Sequence, residues 1–367
     1  MSQRKRFDLS QPGARELADS IVHGAATTEG TLVAFPTCFP GVTVPVPLDE
    51  SRITAMDICD NGMVYAGTSG YASHLLVGMF HGITGMVFDM GKVEGAEQCT
   101  AMCCGQKRFV AAVNGPRGSR LVARDLERLP FDLIQEWGIS RQPYTIVSTP
   151  FDKEPIVHAV TDVSRQMAIG VTGRRLFTFD FASDTCTTIG DIPGVARLAV
   201  GSQGGIFGLD DNRTLWRFDP SDGRLRRRAV PLPAGAWDQP RLPWSRRTAD
   251  GMLYTVDNQG RLFSFCEANG FNGPLATIPL MPVGAMAVTF DGRLFLSAGE
   301  GIARLFCFDP LPGTITDLGV AVSVIERRRY GYAFGDAVTG RDGEIVFGED
   351  DNLGHLWLYF PRILPQR

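Results

Sequence analysis

The chain has 367 residues, a net charge of −4 and 44% hydrophobic residues. That balance carries no electrostatic footprint for nucleic acid or an anionic membrane surface. No stretch approaches the roughly 20 apolar residues that a membrane-spanning helix needs. The 42 glycines and 23 prolines point to many tight turns.

The basic start, Met1 to Arg6, is not followed by an apolar segment, so no secretory signal is expected there. Ala14, Leu17, Ala18, Ile21 and Val22 recur at helical spacing and predict a short amphipathic helix over Pro12 to Ala25. Thr31 to Phe35 reads as a strand with no N-terminal partner. The organisation expected is an N-terminal extension over 1–30 and a single domain over 31–367. Of the eight cysteines, Cys103 and Cys104 are adjacent, and Cys59, Cys266 and Cys307 sit in strand-like runs. They read as reduced thiols acting as small hydrophobes, which predicts a cytoplasmic protein.

The rest of the chain repeats one unit: a turn, a strand, a polar loop and a second strand. Asp291-Gly292 supplies the turn before Arg293 to Ser297, and Leu305 to Asp309 follows. Related copies begin at Asn61-Gly62, Gly204-Gly205, Asp250-Gly251 and Asp342-Gly343, and two weaker ones pass through Leu121 and Leu176. The aligned leucines, Leu75, Leu121, Leu176, Leu215, Leu262, Leu305 and Leu356, lie roughly 39 to 55 residues apart, the period of a propeller blade. The fold predicted is an all-β, seven-bladed β-propeller. Its last blade runs out of chain after three strands, so residues around 31–47 are expected to close the ring as a fourth, outer strand.

Three longer segments, Ile139 to Pro155, Pro233 to Arg247 and Val320 to Asp336, are expected on one face, where loops on a rigid scaffold carry binding. They hold Arg141, Tyr144, Trp237, Trp244, Arg246, Arg247, Arg327 to Arg329, Tyr330 and Tyr332. The residues before the aligned leucines are His74, Arg120, Arg175, Thr214, Arg261, Arg304 and His355. If they lean inward they form a cationic ring at the channel mouth, suited to a carboxylate, sulfate or phosphate. If they lean outward they are solvated positions between blades. His74, Tyr144 and His158 are the candidates for proton transfer. Tyr71, Arg120, Arg175, Trp244, Arg261, Arg304, Tyr330 and His355 are the candidates for substrate binding. There is no zinc motif and no cofactor signature. Asp210-Asp211-Asn212 and Glu349-Asp350-Asp351-Asn352 read as acidic turns or as a structural calcium site.

At Tyr71 to His74, in the Arg-rich loops and at Gly348 to Trp357, the sequence resembles seven-bladed carbohydrate-active propellers. These are the ulvan lyases, the rhamnosyl–glucuronate lyases and the related rhamnosidases. The resemblance covers about residues 50–362 and rests on the blade pattern. It implies an acidic or rhamnose-containing oligosaccharide as substrate, cleaved by β-elimination or hydrolysis. It also implies that His74 and Tyr144 handle the proton while arginines hold the uronate. The pattern departs at Gln98 to Met102, where the lyases carry a second histidine, and leaves His158 or His355 to substitute. The alternative is a non-catalytic propeller that binds a protein or a small anionic ligand.

Overall fold

The computed structural model describes residues 30–37, 46–126, 144–151, 154–192, 197–210, 212–237, 242–246, 250–323 and 330–362. The helix expected over Pro12 to Ala25 lies outside the described residues, as do Arg141, Asp211, Arg247 and Arg327 to Arg329.

The architecture is the expected seven-bladed propeller. Blade 1 is Arg52–Ile58, Val64–Ser69, Ser73–His81 and Thr84–Val93, each strand antiparallel to the one before it. Blades 2, 3, 4 and 6 repeat this order of four strands, starting at Gln98, Ile156, Ala199 and Val283. Blade 5 has three strands, and its inner edge is a single bridge between Trp244 and Thr255. Period-2 alternation produces this arrangement directly. The first strands are short runs of small residues that fit the crowded axis, and the third strands carry the bulky ones. Each aligned leucine is at most 2% exposed, and with Trp216, Phe263 and Trp357 it fills the space between blades.

Blade 7 closes the ring as expected. Its order is Gly30–Pro36, His355–Pro361, Ile345–Glu349, Phe334–Thr339, so the N-terminal strand lies outermost. Leu32 faces Tyr359 and Ala34 faces Trp357 across that ladder. On the other side, Val346 and Leu358 pack with Ile53 and Met56 of blade 1. The approach is close enough that a Cβ on Gly348 would sit 2.5 Å from Ile53 Cγ2, so only glycine fits there.

The Asp-Gly turns form as predicted. Gly292 takes φ 81° and donates its N–H to Thr289 O at 2.9 Å. The segment Val320 to Asp336, expected to be irregular, contains a short ladder between Ala321–Val322 and Tyr330–Gly331. Buried Ala321 packs there with Phe334 and Trp357, which gives the loop a foothold in the blade 7 core. Among the described residues no helix is long and apolar enough to cross a membrane.

Candidate functional site: the central channel

The residues before the aligned leucines act as latches. His74 is buried, with Nδ1 2.8 Å from Asp89 Oδ2 and Nε2 2.9 Å from Glu50 Oε2. Burial works against its charge, but the two carboxylates outweigh burial and raise its pKa above the ordinary value. Lys92 Nζ reaches Glu50 at 2.7 Å and, more than any other group, holds that carboxyl below its usual range. His355 Nδ1 lies 3.0 Å from Glu349 Oε2, which also accepts the His355 backbone N–H.

The arginines follow the same rule. Arg175 Nε is 3.2 Å from Glu154, Arg261 Nη2 is 2.6 Å from Asp257, and Arg304 Nε is 2.9 Å from Asp317. Arg120 donates to the Glu94 carbonyl. Thr214, the odd member of the series, donates its hydroxyl to Asp210 at 2.7 Å. The expected cationic ring is therefore a set of ties at the entrance of each third strand, and none of its members lines the central cavity. The physical reason is proximity. The head of the third strand lies within reach of acids from its own loop, as at Asp257, from the fourth strand, as at Asp89 and Asp317, and from the segment ahead of the blade, as at Glu50 and Glu154.

Tyr144 is also held in place. Its O–H donates to Met90 O at 3.0 Å and to Gly91 O at 3.1 Å, and burial pushes the phenol up to about 12 despite the opposing pull of Arg124. His74 and Tyr144 thus meet the same strand, Thr84–Val93, at Asp89 and at Met90 and Gly91. The raised phenol pKa is the reverse of what a tyrosine base requires. Tyr71 is 79% exposed, and Tyr330 stacks on Tyr332 with ring centroids 6.3 Å apart. Trp244 is buried against Phe265 and Phe271 and forms part of the channel wall.

The acidic turns are likewise occupied. Asp210 accepts the N–H groups of Asn212 and Thr214, Asp350 pairs with Arg52, and Asp351 caps Leu353 N–H. Among the described residues no cluster of three or more His, Cys, Asp or Glu side chains could hold a metal ion.

The first strands enclose a cavity of about 550 Å3 on the propeller axis, and residues from all seven blades line it. His158 is there, with Nδ1 accepting the Leu198 N–H at 3.1 Å. That bond places the proton of the neutral ring on Nε2. Arg246 crosses from blade 5 to blade 1, donating from Nη1 to Asp57 Oδ1 at 3.0 Å and from Nη2 to Met56 O at 2.8 Å. Burial opposes its charge, but Asp57 and Asp336 outweigh that and raise its pKa. Asp57 also accepts Cys104 N–H and the Thr161 hydroxyl, both at 2.8 Å, and so ties blades 1, 2, 3 and 5 together. Arg246 lines a second cavity too, of about 600 Å3, among the first-to-second-strand turns.

Arg197 stands apart from these paired groups. Its guanidinium lines the axial cavity, and its hydrogen bond is from Nη2 to Gly335 O of blade 7, at 3.1 Å. Among the described residues no carboxylate lies within ion-pair distance of it. Arg197, Asp57 and Asp336 were not candidates from the sequence. A signal was present for one of them: Asp336 stands in a first strand between Gly335 and Ala337, at the same place as His158 before Ala-Val-Thr, and both line the axial cavity.

The geometry defines a seven-bladed β-propeller with a polar axial cavity. No protein-family model and no curated protein sequence matches the chain. Solved structures match its fold. A catalytically inactive variant of virginiamycin B lyase from Staphylococcus aureus, solved with quinupristin, has a TM-score of 0.61 at 11% identity. The match covers 91% of this chain and 100% of that one. YCF48 bound to D1 peptide has a TM-score of 0.58 at 11% identity, covering 93% and 97%. The extracellular domain of BT4673 from B. thetaiotaomicron has a TM-score of 0.57 at 10% identity, covering 90% of this chain and 40% of that one. At these identities the likeness is one of fold.

Proposed function

We propose that this chain is a binding propeller whose axial cavity holds a small ligand bearing an oxyanion. One observation carries the reading. Arg197 lines the axial cavity with a guanidinium that meets a carbonyl and no carboxylate among the described residues, whereas the latch arginines Arg175, Arg261 and Arg304 are paired with acids. A guanidinium has five donors in a planar fork, the geometry that a carboxylate, phosphate or sulfate meets in pairs. The cavity size falls in the usual range for small-molecule sites, roughly 300–1,000 Å3. Among the neighbours in fold are one solved with a small molecule and one solved with a peptide, which suits a scaffold for ligands.

The test is calorimetric titration of glucuronate, glucose 6-phosphate and sulfate against neutral glucose. At least one anion should bind where glucose does not, and Arg197→Gln should weaken it about tenfold or more. Absence of binding by all three anions, or an indifferent Arg197→Gln variant, would overturn the reading.

A second reading retains catalysis on an acidic oligosaccharide, and the observation in its favour is His158. It lines the same cavity as Arg197, so an imidazole and a guanidinium face the space that a uronate would enter. β-Elimination would pass the C5 proton to solvent, release the C4 oxygen as an alcohol and leave a conjugated C4–C5 double bond. New near-ultraviolet absorbance from uronate oligosaccharides, lost in His158→Ala, would establish it, and unchanged spectra would exclude that elimination.

A further inference from the structure

Beside Arg197 lies an opposite charge. Asp336 is on the first strand of blade 7, next to Gly335, whose carbonyl receives the Arg197 hydrogen bond. Asp336 Oδ2 accepts the Met56 N–H and Oδ1 its neighbour's, Ala337 N–H, both at 2.9 Å. Among the described residues it makes no contact ion pair. The cation whose field it shares, Arg246, donates instead to Asp57 and to Met56 O.

Arg197 and Asp336 therefore line the same cavity, each tied to backbone groups and not to the other, while the other charged lining residues are paired, Arg165 with Asp162 and Arg246 with Asp57. Opposite charges left apart in a partly enclosed site are stable when other polar groups meet them, because desolvating a charge without a partner is costly. The backbone ties hold each pole in place, which is preorganisation for a ligand with both charges. The rest of the wall mixes the hydroxyl groups of Thr54, Thr100, Thr161 and Ser245 with adaptable apolar side chains. Met56, Met102 and Met286 come from three blades, and Leu253 and Trp244 from a fourth.

We infer that the cavity takes a small zwitterion with an apolar side chain, a free α-amino acid or a dipeptide. Its carboxylate meets Arg197 and its ammonium meets Asp336. This inference rests on the axial cavity being a ligand site and adds the class of ligand.

The experiment titrates the full chain with leucine, leucyl-leucine, 4-methylpentanoate, which lacks the ammonium, and leucinamide, which lacks the carboxylate. At least one of the first two should bind, and the last two should be weaker by about tenfold or more. Asp336→Asn should abolish the preference for the zwitterion over 4-methylpentanoate while leaving 4-methylpentanoate binding as it was. Arg197→Gln should weaken both. If 4-methylpentanoate binds as tightly as leucine and leucyl-leucine, the zwitterion assignment fails and the oxyanion site stands. If none of the four binds, the zwitterion assignment also fails, and glucuronate, phosphate ester and sulfate decide separately whether the cavity is an anion site. Should Asp336→Asn not fold, the four ligands on the unaltered protein still decide between these outcomes.

Discussion

His74 and His158 show how one residue type takes two roles in one ring. His74 lies off the axis in blade 1, clamped on both ring nitrogens by carboxylates. His158 lies on the axis in blade 3, with one nitrogen taken by a backbone N–H of the next blade. Arginine divides in the same way between Arg261, bonded twice to Asp257, and Arg197, bonded to a carbonyl. What separates latch from candidate site is charge compensation. A cation with its own buried acid contributes to the scaffold, and a cation without one remains available to a ligand.

The largest expected effect tests the latch side. His74→Ala leaves Glu50 and Asp89 near each other without the imidazole between them, with Lys92 still at Glu50. Removing one partner of such a buried cluster should cost about 3 kcal/mol of stability, read by urea unfolding. Arg197→Ala removes a bond to a carbonyl at a cavity that water can enter, and should cost roughly 1 kcal/mol. Equal losses in the two variants would erase the distinction between scaffold cations and ligand cations.

Much of the fold could be read from the chain because a repeat amplifies a weak signal. Seven aligned leucines and four Asx-Gly turns report the same unit, and the missing strand of blade 7 identifies Thr31 to Phe35 as its complement. The site was less legible, because alignment along the repeat finds positions that are alike in every blade. Latches are alike by construction, so His74, Arg120, Arg175, Arg261, Arg304 and His355 stood out. A ligand site on the axis is assembled from unlike residues of different blades. His158 and Asp336 hold the same place in their first strands, each before Ala-Val-Thr, but differ in type, and with Arg197 they come together only when the ring closes. Tyr144 was legible as a residue of a long segment. That its hydroxyl reaches the backbone at Met90 and Gly91 depends on the neighbouring blade.

The pH dependence of stability sharpens the same contrast. His74 has a folded pKa raised above its ordinary value of 6.5. Its contribution is therefore fully present below that value and is lost as pH rises through the folded pKa. Glu50 has a folded pKa below its ordinary 4.5, so its contribution is present above that value and is lost as pH falls through the folded one. The cluster is strongest between these limits. His74→Gln keeps a polar side chain that does not titrate. Unfolding free energies measured from about pH 5 to about pH 9 should decline on the alkaline side in the parent and flatten in the variant. Parallel curves would mean that His74 is not charged in the folded protein.

The smallest expected effect lies within the latch series and asks what grades it. Asp257 is fully buried and Asp317 is 42% exposed, yet both accept from the arginine at the head of their third strand. Arg304→Ala should change stability by less than about 0.5 kcal/mol, because Asp317 stays hydrated and keeps the Gly319 N–H. Arg261→Ala should cost about 1–2 kcal/mol, because Asp257 loses its cation in the protein interior. The loss stops there because Asp257 retains the N–H groups of Ala236, Gln259 and residue 261 itself. A thermal comparison of the two variants separates depth of the acid from mere presence of a pair. Similar small shifts would show that latches are worth only their surface value, and the stability of the ring would then rest on the leucine and aromatic packing between blades.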